Sequence, residues 1–432
     1  MILSSGYRAA GSVLRTSQNS VIQYYAGLKP SPIILWICIS LFVIYPLSFF
    51  LALHGIVDLS NNILNRILTV LIGGFGLLNA FAIIRYYFRN ITLVDLLFIL
   101  FTFFYFYGLN DLNMQAYSRY GRCVIWFYVV PYYIRKSYHQ VKYITNVLVP
   151  ILAAIIFTSY ISLNYVEHYG RLSLAGGYTA TGRFYLSIFS ICLIIFVNVK
   201  MPFIQRVFAV LAMIGSIVLA FLSGSRQILL GLIVILALPY LISMKWKEAF
   251  SIKTITIFFL IGVSIVLAFS VNSFNAQRTL SDYHDPSVLG RILRYEYFTQ
   301  VLAQDFPGSL IKGRKFISDQ KIHYGGLWID LAPHNVYLCY ATFAGIMSSI
   351  LLLVFHLYCF SIILCNYSQL KKWRASIYIV PFLTAVYLIA QFENFLYFVS
   401  NLESYLFYAG LGFFVNIWRD RKRLKVFCGL ST

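Results

Sequence analysis

The sequence predicts an all-α, polytopic membrane protein with about twelve transmembrane helices, and three observations support this prediction. Of the 432 residues, 60% are hydrophobic and only 11% are charged, whereas soluble proteins average about a quarter charged. The apolar residues form blocks of roughly 17 to 25, long enough to cross a hydrocarbon core about 30 Å thick. The cationic residues are concentrated between alternate blocks. We therefore expect one polytopic domain over residues 1–432.

Each apolar block is predicted to be one span. The block at 120–134 is short, and the block at 334–365 is long enough to tilt or to project beyond the lipid, so the count carries a margin of about one or two. The predicted spans lie at 33–53, 63–84, 93–108, 120–134, 143–164, 183–199, 204–222, 226–244, 254–271, 334–365, 376–396 and 402–418.

The distribution of charge predicts that both termini are cytoplasmic, because Lys and Arg near spans favour that side. With the N-terminus inside, the cytoplasmic segments hold 21 of the 34 Lys and Arg residues, but only Glu248 and Asp420 among 14 acidic residues. Topology and attraction to anionic membrane lipids thus account for much of the net charge of +20, and nucleic acid is not expected as a partner. The first 30 residues lack the pattern of a removable signal peptide.

The positions of the cysteines and the scarcity of charged residues in mid-span argue against disulfide-bonded, metal-dependent and ion-carrying proteins. The seven cysteines lie within or beside predicted spans, and no C-x-x-C pair or H-E-x-x-H helix occurs, so we expect no disulfide framework, metal or cofactor. The middles of the spans are almost free of Asp, Glu, Lys and Arg, whereas ion and proton carriers need such residues there. Chemistry or binding is therefore expected at a membrane face.

The predicted outer loop at 272–332 is the largest segment between spans, with 61 residues and seven cations. A structureless loop of this length is uncommon, which favours a functional element. Within it, Pro286 suits the first position of an amphipathic helix that ends before Pro307. Arg291 and Arg294 are three residues apart, so they project from one side of this helix and could hold one anion.

Two more arginines begin predicted spans at the outer side. Arg226 follows a tight turn in LSGSRQILLG, and Arg183 opens the span in GGYTATGRFYL. Arginine presents a planar fork of donors that suits phosphate and diphosphate oxygens. The alternative for each is an anchor to lipid headgroups. Glu393, in the stretch QFEN, is explained equally well as a hydrogen-bonded helix end or as a site residue.

The stretch LAPHNVYLCYATFAG, residues 331–345, places a histidine at the mouth of the long apolar block. Pro333 can start a helix, which would put His334 in the first turn, where the helix dipole disfavours a protonated ring. A neutral imidazole can act as a general base. The alternative is a histidine that only caps an interfacial helix.

Four motifs occur in the order SGSR at 223–226, GR at 290–291, DFPGSLIKG at 305–313 and HNVYLCYATFAG at 334–345. Together they resemble the core of the O-antigen ligase and O-antigen polymerase superfamily over roughly residues 180–350. The spacing of His334, Asn335 and Gly345 matches the family pattern, whereas Ser349 departs from the Gly, Thr or Asn of that pattern. The resemblance implies a GT-C-like fold with a large, partly helical periplasmic loop.

By this resemblance, the protein would be a metal-independent, inverting glycosyltransferase of the bacterial inner membrane, with its active site on the periplasmic face. It would join oligosaccharide repeats linked to undecaprenyl diphosphate, transferring them to a glycan acceptor. The resemblance also allows for a chain-length regulator as a partner. The expected catalytic residues are His334, Arg291 and Arg226, and the expected diphosphate-binding and acceptor-binding residues are Arg183, Arg294 and Asn335.

Two alternatives to the polymerase remain open at this stage. An O-antigen ligase, which moves the glycan onto lipid A core, needs the same donor site and the same base. A flippase or other transporter of lipid-linked oligosaccharide would instead need polar residues along a route through the bilayer.

Overall fold

The computed structural model is mostly helical, with helices in 88% of its described residues. The prediction of a helical protein is therefore confirmed for this part of the chain, which also contains two short β-hairpins. The described residues are 32–53, 63–110, 114–136, 138–161, 167–168, 171–172, 177–198, 201–223, 225–243, 286–314, 321–324, 327–330, 333–366, 376–399 and 401–427.

The first half of the chain forms helices that begin and end close to the predicted blocks. A short antiparallel hairpin, β1 Glu167–His168 and β2 Arg171–Leu172, separates the eighth helix from the ninth. The helices are α1 Pro32–Ile39, α2 Tyr45–Leu53, α3 Ile63–Leu78, α4 Ala80–Phe88, α5 Leu93–Gly108, α6 Met114–Val124, α7 Val130–Lys136, α8 Tyr138–Ile161, α9 Gly177–Asn198, α10 Phe203–Leu222 and α11 Arg226–Ser243, with π-helical turns at Ser40–Ile44 and Ile125–Val129.

The second half contains the helix predicted in the large loop, α12, which runs from Pro286 to Gln304. A second antiparallel hairpin, β3 Lys321–Tyr324 with β4 Leu327–Asp330, follows it. The remaining helices are α13 Val336–Ala344, α14 Ile346–Cys365, α15 Ser376–Ala390, α16 Phe395–Phe398 and α17 Leu402–Phe427.

A helix occupies each predicted span except 254–271, which lies outside the described residues. Among the described helices, four have the length and composition to cross a membrane, or five if the bent pair Val70–Leu78 and Ala80–Phe88 is one span. Several of the remaining helices are apolar but shorter, such as Leu93–Gly108. The chain thus has apolar helices suited to a membrane, and the count of twelve stays a prediction.

The block predicted as one span at 63–84 is bent by 71° between α3 and α4, at Asn79. The carbonyl of Phe75 accepts hydrogen bonds from the Asn79 side-chain amide at 3.1 Å and from the Tyr133 hydroxyl at 3.1 Å. Side chains that insert into the backbone hydrogen-bond ladder are a recognised cause of helix kinks. Here the backbone N–H of Asn79 keeps its own bond to the Phe75 carbonyl at 3.2 Å, so Asn79 and Tyr133 add hydrogen bonds at the bend without breaking the ladder.

The block predicted as a single long span at 334–365 is divided at Gly345, so that prediction is wrong. Gly345 has φ +85°, and a Cβ there would lie 2.5 Å from the carbonyl oxygen of Ile311, so glycine is required. The Tyr337 hydroxyl lies 2.9 Å from Nδ1 of His356, nineteen residues later. A continuous helix would separate these residues by about 28 Å. Helices α13 and α14 therefore form a hairpin.

A segment of the large loop, residues 305–314, closes the Gly345 end of this hairpin. The backbone N–H of Gly313 donates to the carbonyl of Gly108 at 2.8 Å, and the backbone N–H of Arg314 donates to the carbonyl of Thr342 at 2.6 Å. A Cβ on Gly313 would lie 2.1 Å from the carbonyl carbon of Phe343. Glycine is thus needed where this loop passes between the ends of α5 and α13.

Candidate functional site

His334 lies just before α13, two residues ahead of its first helical residue. Asn335 is the N-cap: its Oδ1 accepts hydrogen bonds from the N–H groups of Tyr337 and Leu338, each at 2.9 Å. The expectation that Pro333 begins the helix, with His334 in its first turn, is therefore wrong. The ring of His334 is held beside the N-terminus of α13 and not within it.

Three separate segments of the chain meet at the backbone of Gln391, which follows α15. Its carbonyl accepts from Nδ2 of Asn335 at 2.9 Å and from the hydroxyl of Tyr295 at 3.1 Å. The same Tyr295 hydroxyl lies 3.3 Å from the carbonyl of His334. Helix α12 of the large loop is thereby joined to the start of α13 and to the segment after α15.

This junction brings His334 to Glu393. Nδ1 of the imidazole lies 3.6 Å from Oε2 of Glu393, slightly beyond hydrogen-bond range. Nδ1 is buried and has no hydrogen-bond partner among the described residues, although 27% of the His334 side chain is exposed. The exposed part of the ring therefore belongs to its other atoms. Glu393 is buried, with 8% of its side chain exposed.

A second carboxylate and one arginine complete the group of His334, Glu393, Arg183 and Glu403, which we call the His334 cluster. Nε of Arg183 donates to Oε1 of Glu403 at 2.8 Å, and its Nη1 lies 3.6 Å from Oε2 of Glu393. These three charged side chains are all less than a tenth exposed. The guanidinium also stands 4.7 Å from the ring centroid of Phe395. Two carboxylates thus share one cation beside the imidazole.

The structure brings some of the predicted site residues together and leaves others outside its description. Arg183 lies in the His334 cluster, where its guanidinium has two carboxylate neighbours. Arg294 is partly buried on α12, next to Tyr295. The side chains of Arg226 and Arg291 lie outside the described residues, so their roles stay predictions.

The backbone positions of the last two arginines are described. Arg226 is the first residue of α11, and the turn before it packs on α9: a Cβ at Gly182 would lie 2.7 Å from Oγ of Ser223. Arg291 precedes Tyr295 by one helical turn on α12. The Arg226 backbone thus follows a turn that packs on α9. The Arg291 backbone lies one turn before Tyr295, which contacts the start of α13.

Sequence reasoning left Glu393 undecided and missed Glu403 and Tyr295. Glu403 carried one signal: it is an acidic residue beside a predicted span in a chain with only 14 acidic residues. Buried carboxylates are costly unless paired, so each deserves a partner. Tyr295 carried none, because one of 34 tyrosines in the chain is not distinguished by type.

The arrangement of His334 and Glu393 is suited to proton transfer. A carboxylate that faces Nδ1 favours the tautomer with its proton on that atom, which leaves Nε2 to accept another. The same carboxylate stabilises the imidazolium that forms when Nε2 takes up a proton. Among the described residues, no group of three or more His, Cys, Asp or Glu side chains is placed to hold a metal ion.

Comparison with known proteins gives no match: no protein-family model fits this chain, and no curated protein is similar to it.

Proposed function

We propose that this protein is a polymerase of bacterial surface polysaccharide, such as O-antigen, and a member of the family its motifs resemble. It joins oligosaccharide repeats carried on undecaprenyl diphosphate, at the membrane face where the His334 cluster lies. On the predicted topology this face is periplasmic. The support lies in His334 as the base, in the Glu393 carboxylate beside its ring and in arginines whose backbones lie near it.

One observation carries the proposal: His334 Nδ1 lies 3.6 Å from a buried Glu393 carboxylate while the ring keeps an exposed part. A histidine that only capped α13 would have no need of a buried acid, since Asn335 already caps the helix. Catalytic hydrogen bonds are often long in structures without substrate and shorten when it binds.

The proposed reaction is one displacement at the anomeric carbon of the donor sugar. The acceptor hydroxyl oxygen forms the new bond to that carbon as its bond to the diphosphate oxygen breaks. The hydroxyl proton passes to Nε2 of His334, and undecaprenyl diphosphate leaves with the bonding electron pair. A single displacement inverts the anomeric configuration.

The leaving diphosphate gains negative charge in the transition state, so fixed cations there accelerate the reaction. Arg291 and Arg226 are the proposed ligands of the diphosphate, and Arg294 is the next choice. Arg183 suits a different role from the one expected, because two carboxylates already neutralise its guanidinium. We assign it the positioning of Glu393 behind the imidazole.

An apolar crevice supports a donor with a long hydrocarbon chain. A cavity of about 210 Å³ lies among α1, α8, α9, α15 and α17, and a smaller one adjoins it through Phe42 and Ile191. The smaller cavity reaches Leu402, the residue before Glu403. Isoprenoid carbon atoms in the smaller cavity would lie beside Leu402, one residue from Glu403 of the His334 cluster.

The test is a reconstituted transfer assay. Purified wild-type protein in lipid bilayers, given only lipid-linked oligosaccharide and a metal chelator, should yield longer lipid-linked glycans. His334→Ala should lower the rate by about 10² to 10⁴-fold, the usual contribution of a general base. The matched control is His323→Ala on β3, an exposed histidine, which should retain the wild-type rate.

Unchanged turnover in His334→Ala would remove the proposed base. Wild-type protein that transfers glycan only to added lipid A core, and never to a second lipid-linked repeat, would show the ligase instead. Movement of donor across the bilayer with no new glycosidic bond would show a transporter.

A further inference from the structure

Helix α4, Ala80–Phe88, packs on the protein with one face only. Ile83 and Tyr86 are buried on that face. Phe81, Ile84 and Phe88 lie on the opposite side of the helix and are 78%, 53% and 74% exposed. Their spacing of three and four residues aligns them in one row, about 10 Å long, which we call the Phe81 row. The Phe81 row is thus an apolar surface open to the surroundings of the protein.

Two arginines lie beside the Phe81 row. Arg85 and Arg89 are four residues apart, and both side chains are exposed. Neither makes an ion pair with a described residue. At 3.6 residues per turn, they form a cationic row next to the apolar one. Adjacent apolar and cationic rows are typical of helices that lie in a membrane interface.

The buried face of α4 contacts a charged end of the helix bundle. The Tyr86 hydroxyl donates to Asp420 at 3.0 Å, and the guanidinium of Arg135 stands 3.4 Å from the Tyr86 ring centroid. Arg135 and Asp420 lie 3.2 Å apart, at the ends of α7 and α17. Charged side chains are costly in the hydrocarbon core, so this end belongs near a membrane face. On the predicted topology that face is cytoplasmic.

The bend before α4 directs this helix along the same face. The angle between α3 and α4 is 71°. If α3 crosses the bilayer at the usual tilt of about 20°, α4 lies within about 40° of the membrane plane. The alternative is a broken span in which α4 continues into the hydrocarbon. That arrangement would carry Arg85 and Arg89 into the lipid core without a partner, which is unfavourable for each.

We propose that α4 lies along the membrane surface and binds anionic phospholipid, with the Phe81 row among the acyl chains and Arg85 and Arg89 on the headgroup phosphates. One lipid molecule offers both parts, since its acyl chains cover the apolar row and its phosphate accepts from a guanidinium. Lipid held there would connect the bilayer to the ends of α7 and α17 through Tyr86. This binding is independent of the transfer reaction.

The experiment uses a reporter at position 88. Full-length Phe88→Trp is reconstituted in liposomes of phosphatidylcholine and anionic phosphatidylglycerol, one of which carries bromine on its acyl chains. Bromine quenches a neighbouring tryptophan, so quenching of the emission in excess of the wild type reports which lipid lies beside α4. Phosphatidylglycerol should be enriched there by up to about 30-fold at low salt, because each cation near an anionic surface contributes about fivefold. The enrichment should shrink as salt screens the charges.

Three double variants in the Phe88→Trp background test the arginines. Arg85→Gln/Arg89→Gln should abolish the enrichment, and Arg85→Lys/Arg89→Lys should retain most of it. Lys312→Gln/Arg314→Gln is the matched control, because it removes the same charge from exposed positions beyond the other end of α5. It should leave the enrichment unchanged.

Bromine at two depths along the acyl chain locates the helix. Phe81→Trp and Phe88→Trp should both be quenched more strongly by bromine near the headgroup than by bromine deep in the bilayer. Leu357→Trp is the control for depth, since Leu357 is 52% exposed and lies within α14. It should be quenched more strongly by the deeper bromine.

Three results would overturn the proposal. Equal enrichment of phosphatidylglycerol before and after Arg85→Gln/Arg89→Gln would remove the anionic lipid site. Deep quenching at position 81 or 88 would show a broken span. No quenching at either position would show that protein, such as a second copy of this chain, covers the Phe81 row.

Discussion

Among the described residues, two largely buried ionic clusters lie along α17, and they are built on different principles. Glu403 at the start of α17 belongs to the His334 cluster. Arg419, sixteen residues later and about 24 Å along the helix axis, belongs to a second group with Asp95. We call this second group, which also contains Arg135 and Asp420, the Asp95 cluster.

In the Asp95 cluster, two arginine–aspartate pairs connect separate helices. Arg419 bonds directly to Asp95, and the two side chains are 1% and 7% exposed. Arg135 lies 3.2 Å from Asp420, which also accepts from the Tyr86 hydroxyl at 3.0 Å. Two arginines thus face two aspartates. Asp95 also accepts from the N–H of Thr92 at 2.8 Å, completing a capping box at the start of α5.

In the His334 cluster, Arg183 contacts Glu393 and Glu403, and Glu393 also faces the partly exposed imidazole of His334. A buried carboxylate beside an imidazole stabilises the positive charge that develops when the histidine takes up a proton. The comparison indicates that a cluster of arginine and aspartate pairs joins helices, whereas a cluster with an accessible base beside a carboxylate is suited to chemistry.

The largest expected effect is on stability and concerns the Asp95 cluster. Asp95→Asn leaves the buried guanidinium of Arg419 without its carboxylate and should lower the free energy of unfolding by about 3–5 kcal/mol. Thermal unfolding of purified protein measures this loss. Glu296→Gln, an exposed acid on α12, is the control and should change stability by less than about 0.5 kcal/mol. Equal stability of the two variants would show that the Asp95 pair does not hold the helices.

The second prediction concerns the His334 cluster. Glu393→Gln keeps the shape and leaves Glu403 to neutralise Arg183, so stability should fall by less than in Asp95→Asn. The turnover number should fall about 10- to 100-fold, or about 1.4 to 2.7 kcal/mol, because the imidazolium loses its stabilising charge. KM for the lipid-linked donor should stay close to that of the wild type. If Glu393→Gln lowered stability but not turnover, Glu393 would have the same helix-joining role as Asp95.

The third prediction concerns the proposed diphosphate ligand. Arg291→Lys retains the charge and loses the two-pronged donor geometry, so we expect about a tenfold loss of kcat/KM, which corresponds to about 1.4 kcal/mol. Arg206→Lys, at an exposed position near the start of α10, is the control. Full activity of Arg291→Lys would favour a headgroup anchor.

The smallest expected effect concerns the hairpin that carries His334. Ser349 Oγ donates to the carbonyl of Tyr337 at 2.7 Å, and Ser349→Ala should destabilise the protein by about 1 kcal/mol. Ser361→Ala on the same helix is the control, since that hydroxyl bonds only to Tyr358, within its own helix, at 2.8 Å. Equal unfolding temperatures of Ser349→Ala and Ser361→Ala would show that Ser349 does not hold α13 against α14.

The motif positions have physical reasons that the sequence pattern does not state. Gly345 is the turn of the hairpin, and Asn335 caps α13 while it bonds to Gln391. Ser349, which departs from the family pattern, bonds α14 to α13. The spacing of His334, Asn335 and Gly345 is therefore the length of one short helix and its two ends.

The helical class and the approximate positions of the helices could be predicted from the sequence, because the length and apolarity of each block are local properties of the chain. His334 and the arginines could be singled out by residue type and position. The turn at Gly345 and the meeting of Glu393, Glu403 and Tyr295 near His334 emerged only with the packed structure. These contacts join residues up to 220 positions apart, as between Arg183 and Glu403, and such pairings depend on how helices pack, which hydropathy does not encode.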